Sequence, residues 1–203
     1  MKKLVTFRNA SVGIIALFGA GVAVHEGLPT DKNGMHPIYY DSAGIKTVCY
    51  GETKNITKQR YTTEECNIML DSSTKYYAKA LEGLPPLPIT TWVGALDFTY
   101  NAGIGAFKSS QLRKDLMRGD TLAASKSVLS WRYISKPSIT SSDKKKGSWV
   151  WSEKKRKYNY DCSQYVNGKP NKVCYGLWDR RLHQSKMLKG DMSYQEALDS
   201  LKW

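Results

Sequence analysis

Tyr40-Asp41-Ser42-Ala43-Gly44-Ile45-Lys46-Thr47-Val48-Cys49-Tyr50-Gly51-Glu52-Thr53 is the stretch whose reading decides the fold. Two short β-branched and aromatic runs, Ile38-Tyr39-Tyr40 and Thr47-Val48-Cys49-Tyr50, flank Asp41-Ser42-Ala43-Gly44, which carries turn chemistry. The pattern predicts a small hairpin on which a carboxylate (Asp41) and a hydroxyl (Thr47) can jointly hold a water. Around it, from Glu26 to Gln59, Gly27, Pro29, Gly34, Pro37, Gly44 and Gly51 keep the chain rich in loops.

Downstream the pattern turns helical. Thr62-Thr63-Glu64-Glu65 is a capping box. Cys66, Met69, Leu70, Tyr76 or Tyr77, and Leu81 then recur roughly at helical spacing, until Gly83 and the prolines 85, 86 and 88 stop the helix. Further helices are predicted over residues 91–100, over 110–118 with Gly119 as the stop, and from Asp120 through Trp131. Ser193-Tyr194-Gln195-Glu196 is a second capping box that opens a last helix. Residues 134–175 break the pattern with Lys144-Lys145-Lys146 and Lys154-Lys155-Arg156-Lys157. Cys162 and Cys174 there flank an Asn167-Gly168 turn that favours a hairpin. This stretch reads as a basic surface insertion, either touching an acidic polymer or simply a solvated loop stapled by a disulfide. The fold class is α+β, mainly α, with a small β lobe over 26–60 and a helical lobe over 61–203.

Upstream, residues 1–25 read as an export segment. Lys2, Lys3 and Arg8 precede an uncharged stretch over residues 9–24 whose apolar core is rich in Gly and Ala. Positive charge ahead of an apolar run sets insertion with the N-terminus in the cytoplasm. The run is shorter than the roughly 20 residues that span a bilayer comfortably. A cleaved signal peptide, a stable anchor and a weak anchor able to leave the bilayer remain open, beside a packed helix of a cytosolic protein. Export favours disulfides among Cys49, Cys66, Cys162 and Cys174.

The 203 residues carry 31 Lys and Arg against 18 Asp and Glu, a net charge of +13, with 41% hydrophobic residues. That composition excludes a disordered chain. The charge suits polyanions in general, whether nucleic acid, anionic lipid or an acidic wall polymer. No nucleic-acid recognition motif accompanies it, and His25, His36 and His183 have no zinc-ligand spacing. Neither a metal nor another cofactor is expected.

Glycoside hydrolysis requires a protonated carboxyl and a second carboxylate. Glu26, just beyond the apolar segment, suits an acid whose pKa burial raises. From spacing alone Glu26 reads equally as a solvated helix end, and Asp41 as a turn residue. Four motifs in order add weight: His25-Glu26-Gly27 with the Tyr40–Thr53 segment; Tyr61-Thr62 with Glu65-Cys66; Phe98-Thr99-Tyr100-Asn101-Ala102-Gly103-Ile104-Gly105-Ala106-Phe107; and Gly176-Leu177 with Arg180-Arg181. Together they resemble the phage lysozymes (endolysins) over most of residues 12–133 and 176–203.

The resemblance implies a lysozyme-like fold with a cleft between two lobes. It implies hydrolysis of the β-1,4 bond between N-acetylmuramic acid and N-acetylglucosamine in bacterial peptidoglycan. Glu26 becomes the general acid, Asp41 the second carboxylate and Thr47 the water-orienting hydroxyl, with Asn101 either binding substrate or capping its helix. Arg180 and Arg181 are expected in structural ion pairs, and Trp131 and Trp178 in the core. Trp149 and Trp151 are available to stack on sugars.

Three departures stand out. The loop between Glu26 and Asp41 is long and brings Asp31 in as a minor rival carboxylate. Glu52 stands where relatives often have His, and the 134–175 stretch is expanded. In this family the catalytic Glu lies near the end of a helix that completes the fold, and here the apolar segment must supply it. The expectation is therefore an uncleaved signal anchor that tethers the protein to the inner membrane through residues 9–24, then releases it as a periplasmic monomer. The expected disulfides are Cys49–Cys66, tying the sheet to the first long helix, and Cys162–Cys174. A lytic transglycosylase, a non-catalytic wall-binding protein and a nucleic-acid binder are the rival readings.

Overall fold

The computed structural model describes residues 4–7, 13–15, 18–19, 29–40, 45–193 and 195–196. Glu26, Asp41, His25 and most of the apolar segment lie outside the described residues, as does the chain beyond 196.

At the start, strand β1 (Leu4–Val5) pairs antiparallel with β6 (Leu87–Pro88). The small lobe follows: β2 (His36–Pro37), β3 (Tyr39–Tyr40), β4 (Lys46–Thr47) and β5 (Arg60–Tyr61). β3 and β4 form the expected hairpin with Tyr39 opposite Thr47, and β2 pairs with β5. Helix α1 (Thr63–Ala78) starts at the capping box: Thr62 Oγ1 accepts from the Glu65 amide, and Glu65 Oε2 accepts from the Thr62 amide.

The central helix α2 (Ile89–Ala102) buries Trp92, Leu96 and Phe98 completely. Each such side chain is worth about 1.5–3 kcal/mol on burial. Ile14 and Phe18, from the apolar N-terminal run, join the same core; Phe18 meets Tyr100 at 5.2 Å between ring centroids. Phe7 packs on Trp92, whose Nε1 donates to the Val5 carbonyl. Ile14 and Phe18 are thus part of the helical core, with Val5 and Phe7 packed against it.

A short helix, α3 (Ile104–Ser109), precedes the helix expected over 110–118, which is α4 (Gln111–Met117). Ser110 separates them: its backbone is extended, its hydroxyl donates to the Phe107 carbonyl and accepts from the Arg113 amide. α5 (Thr121–Ser127) is capped by Asp120 and ends in a 3-10 turn, Val128–Trp131.

Residues 134–175 are more than a stapled loop. Strands β7 (Tyr133–Lys136), β8 (Trp149–Ser152) and β9 (Lys157–Asp161) form a sheet with β9 central. A one-turn helix over Ser141–Lys145 lies beside it, and Tyr160, fully buried, donates from its hydroxyl to Lys146 O. A second hairpin, Tyr165–Val166 with Lys169–Pro170, turns at Asn167-Gly168; both residues have positive φ, as the primed turns require. The four cysteines pair as Cys49–Cys66 and Cys162–Cys174.

The last long helix, Tyr175–Lys189, carries the Gly176–Arg181 motif but no apolar periodicity that would reveal its length. Its inner face buries Arg181, His183 and Gln184 beside Met187 and Leu188. It crosses α2 at Gly94, where an added Cβ would lie 3.0 Å from Met187 Cβ and 3.2 Å from the Leu188 nitrogen. Trp131 packs against the core on Phe98 as expected, whereas Trp178 is half-buried outside it, with Arg132 over its ring. Beyond it, the second predicted capping box is present, with reciprocal hydrogen bonds between Ser193 and Glu196.

Candidate active site

A cleft of about 870 Å³ separates the small lobe from α1 and α2. Thr47, Glu52 and Lys54 line it from the small lobe. Ile68, Tyr76 and Tyr77 come from α1, Tyr100 and Asn101 from the end of α2, and Arg180 from the last helix.

Thr47 is buried at the end of β4, and its hydroxyl donates to Ile45 O at 2.8 Å. With that proton committed, its lone pairs can accept from a water, which suits holding a nucleophile. The turn beyond Thr47 is closed by reciprocal Val48 and Glu52 backbone hydrogen bonds, each 2.9 Å. Cys49 has φ of 54° and Gly51 of 90° within it, and the Cys49–Cys66 disulfide fastens it to α1.

Asn101 lies near the end of α2 and reaches the last helix through its side chain. It lines the cleft, and its Oδ1 accepts from Arg181 Nη2 at 2.6 Å, which leaves its Nδ2 as the donor for a ligand. Arg180 makes the expected ion pair, with Nη2 2.7 Å from Asp97 Oδ1. Arg181 instead hydrogen-bonds neutral acceptors: Trp131 O, Gln184 Oε1 and Asn101. Burial pulls its pKa down to about 10, against the opposing pull of the Asp97 charge.

Asp31, the rival carboxylate, organises its own loop. Its Oδ1 accepts from the Asn33 and Met35 amides, and Arg60 pairs with Oδ2. These backbone bonds hold its pKa below the ordinary value. The His36 ring ties the loop carbonyl of Pro29 to the Thr63 hydroxyl.

Sequence reading missed Glu52, Ser73 and the cleft tyrosines as site residues. Of Tyr76 or Tyr77, one of which was expected at an apolar position of the helix, Tyr77 packs on the core and Tyr76 is 52% exposed and faces the cleft. Glu52 carried a signal, as the departure in Gly51-Glu52-Thr53. Its Oε1 accepts from Ser73 Oγ at 2.6 Å and from Tyr100 OH at 3.1 Å. Burial raises its pKa, opposed by these two hydrogen bonds.

Comparison with known proteins gives a consistent family. The model described as Phage lysozyme matches residues 31–146. The SAR-endolysin of Escherichia phage Mu is 31% identical over 131 residues, covering 61% of this chain and 77% of that protein. The SAR-endolysin of Enterobacteria phage P21 is 30% identical over 129 residues, covering 58% and 78%. Among solved structures, an endolysin from Escherichia coli O157:H7 phage FAHEc1 superposes with TM-score 0.56 at 19% identity, over 93% of this chain and 96% of the other. The muramidase domain of SpmX from Asticaccaulis excentricus gives 0.55 at 17% identity, over 87% and 94%.

Proposed function

Since the chain belongs to the phage lysozyme family, we propose that it cleaves the β-1,4 bond between N-acetylmuramic acid and N-acetylglucosamine by general acid/base hydrolysis. It is a glycoside hydrolase of the lysozyme kind and a peptidoglycan-degrading endolysin of host lysis. Glu26 donates the proton to the leaving oxygen, Asp41 is the second carboxylate, and Thr47 helps to place the water. Asn101 binds the glycan from the opposite wall.

The observation that carries this reading is the cleft itself. Thr47, its proton turned inward to Ile45 O, stands on one wall, and Asn101, steadied by Arg181, on the other. Ile68 and Tyr76, both exposed there, offer apolar surface against which sugar rings can rest.

We propose further that residues 9–24 tether the chain to the inner membrane uncleaved, then leave the bilayer for the periplasm. SAR-endolysin relatives support export by this route. The burial of Ile14 and Phe18 in the helical core supports a segment that belongs to the folded enzyme. Among the described residues no helix is long and apolar enough to cross a membrane.

The experiment is mass spectrometry of fragments released from purified peptidoglycan by wild type and by Glu26→Gln. Hydrated reducing ends from wild type and none from the variant are expected. Anhydro ends would replace hydrolysis with transglycosylation, and equal release by both proteins would remove Glu26 from its role.

A further inference from the structure

The turn that carries Thr47 also carries Glu52, the single acidic residue lining the cleft among the described residues. Its backbone is locked to Val48, so it is as firmly placed as Thr47. Its Oε1 is occupied by Ser73 Oγ from α1 and Tyr100 OH from α2. Its Oε2 has no hydrogen-bond partner among the described residues, and no cation pairs with the carboxyl. The cationic residues lining the cleft are turned elsewhere: Arg180 to Asp97, and Lys54 over the Tyr76 ring at 5.5 Å.

The side chain is thus held by donors at Oε1 alone, with no counter-charge at Oε2, which leaves Oε2 as the position for a proton when the acid is neutral. Neither donor is undivided. Ser73 Oγ also reaches Leu70 O at 3.2 Å, and Tyr100 OH also reaches Tyr50 O at 3.1 Å. Burial therefore outweighs them and holds the carboxyl above the ordinary glutamate value. A half-buried carboxyl without a counter-charge is biased toward its neutral form for the same reason.

Resting on the glycan-hydrolase reading of the cleft, we propose that Glu52 is a substrate-binding residue which meets the glycan as a neutral carboxylic acid, donating from Oε2 to a sugar acetamide or hydroxyl oxygen. Ionisation turns that donor into an acceptor and places a negative charge in the path of an acidic glycan. The cleft then holds its substrate less well as pH rises through the ionisation of Glu52. The other titratable or charged side chains that share the lining are Tyr39, Tyr76, Tyr77 and Tyr100, with Lys54 and Arg180.

The test is calorimetric titration of the full chain carrying Glu26→Gln with the N-acetylglucosamine tetramer, an uncharged glycan, from pH 4 to 8. Affinity is expected to fall about tenfold as Glu52 ionises, the weight of one such hydrogen bond. Adding Glu52→Gln, which keeps a neutral donor of the same shape, is expected to leave one affinity across the whole range. A direct carbon NMR titration of the Glu52 carboxyl is expected to share the midpoint of the binding profile. Binding whose pH profile survives Glu52→Gln would overturn this inference and leave the cleft a glycan site. No binding by either protein at any pH would overturn the glycan reading, and the inference with it.

Discussion

Arg181 Nη2 donates a 2.6 Å hydrogen bond to Asn101 Oδ1, so a cleft-lining amide is oriented by the guanidinium of an arginine that is only 3% exposed. The same guanidinium serves Trp131 O and Gln184 Oε1. The last helix, the end of α2 and the 3-10 turn are thereby joined through one side chain. Removing it leaves Gln184 Oε1 and Trp131 O, one buried and one part-buried, without this donor, the more expensive way to lose a hydrogen bond.

Arg181→Ala is expected to lower unfolding free energy by roughly 2–4 kcal/mol, measured by urea denaturation. Asn101→Ala is expected to lose less stability, because Asn101 is itself exposed at the cleft wall. Its effect should fall mainly on substrate affinity. Equal stability losses in the two variants would contradict a one-sided dependence on the arginine.

Asp97 sets the acid side of the stability curve. Burial pushes its carboxyl pKa up, but the Arg180 charge and hydrogen bond, the Gln184 hydrogen bond and the Arg181 charge together bring it below the ordinary value. Its ionised form therefore favours the folded state. That contribution is complete above the unfolded pKa of about 4 and is lost as pH falls through the lower folded value. The urea midpoint should decline on acidification below about pH 4, and Asp97→Asn should show a lower midpoint at neutral pH with a flatter acid limb. An unchanged acid limb in Asp97→Asn would move the effect to other carboxylates.

The hairpin, the first capping box and the Asn167-Gly168 turn were legible because each depends on local chemistry: turn residues, reciprocal caps and positive φ. The length of the Tyr175–Lys189 helix was not, since Arg181, His183 and Gln184 face inward and erase the apolar stripe on which periodicity relies. Thr47 and Asn101 could be nominated from motifs. The role of Glu52 depends on Ser73 and Tyr100, 21 and 48 residues away, and no local pattern joins them.

Gly190 ends the last helix in the left-handed region, at φ of 73°, with Pro88 Cγ 2.7 Å and Thr91 Oγ1 2.8 Å from where a Cβ would stand. Gly190→Ala combines the left-handed penalty with a clash against a rigid proline ring. A loss of about 2–3 kcal/mol is expected, above the ~1 kcal/mol of an unobstructed left-handed glycine. Thermal unfolding checks it; a smaller loss would mean that β6, the strand Leu87–Pro88, yields to the added methyl.

The two disulfides close loops of similar length, with sequence separations of 17 and 12. Each should therefore contribute about 3 kcal/mol through the unfolded chain. Their surroundings differ. Cys49–Cys66 fastens the turn that carries Thr47 and Glu52 to α1, whereas Cys162 and Cys174 lie in the 134–175 stretch around a hairpin. There the buried Asn171 already spans the same gap, donating to Cys162 O and accepting from the Cys174 amide. Paired serine substitutions should accordingly lose comparable stability by denaturation but separate in activity. Cys49→Ser with Cys66→Ser should lose peptidoglycan cleavage well below its unfolding temperature, because the wall holding Thr47 loosens before the core does. Cys162→Ser with Cys174→Ser should keep its turnover until it unfolds. If both double variants lose activity only on unfolding, the Thr47 turn is held by the Val48–Glu52 backbone pair and the Glu52 side chain without help from the disulfide.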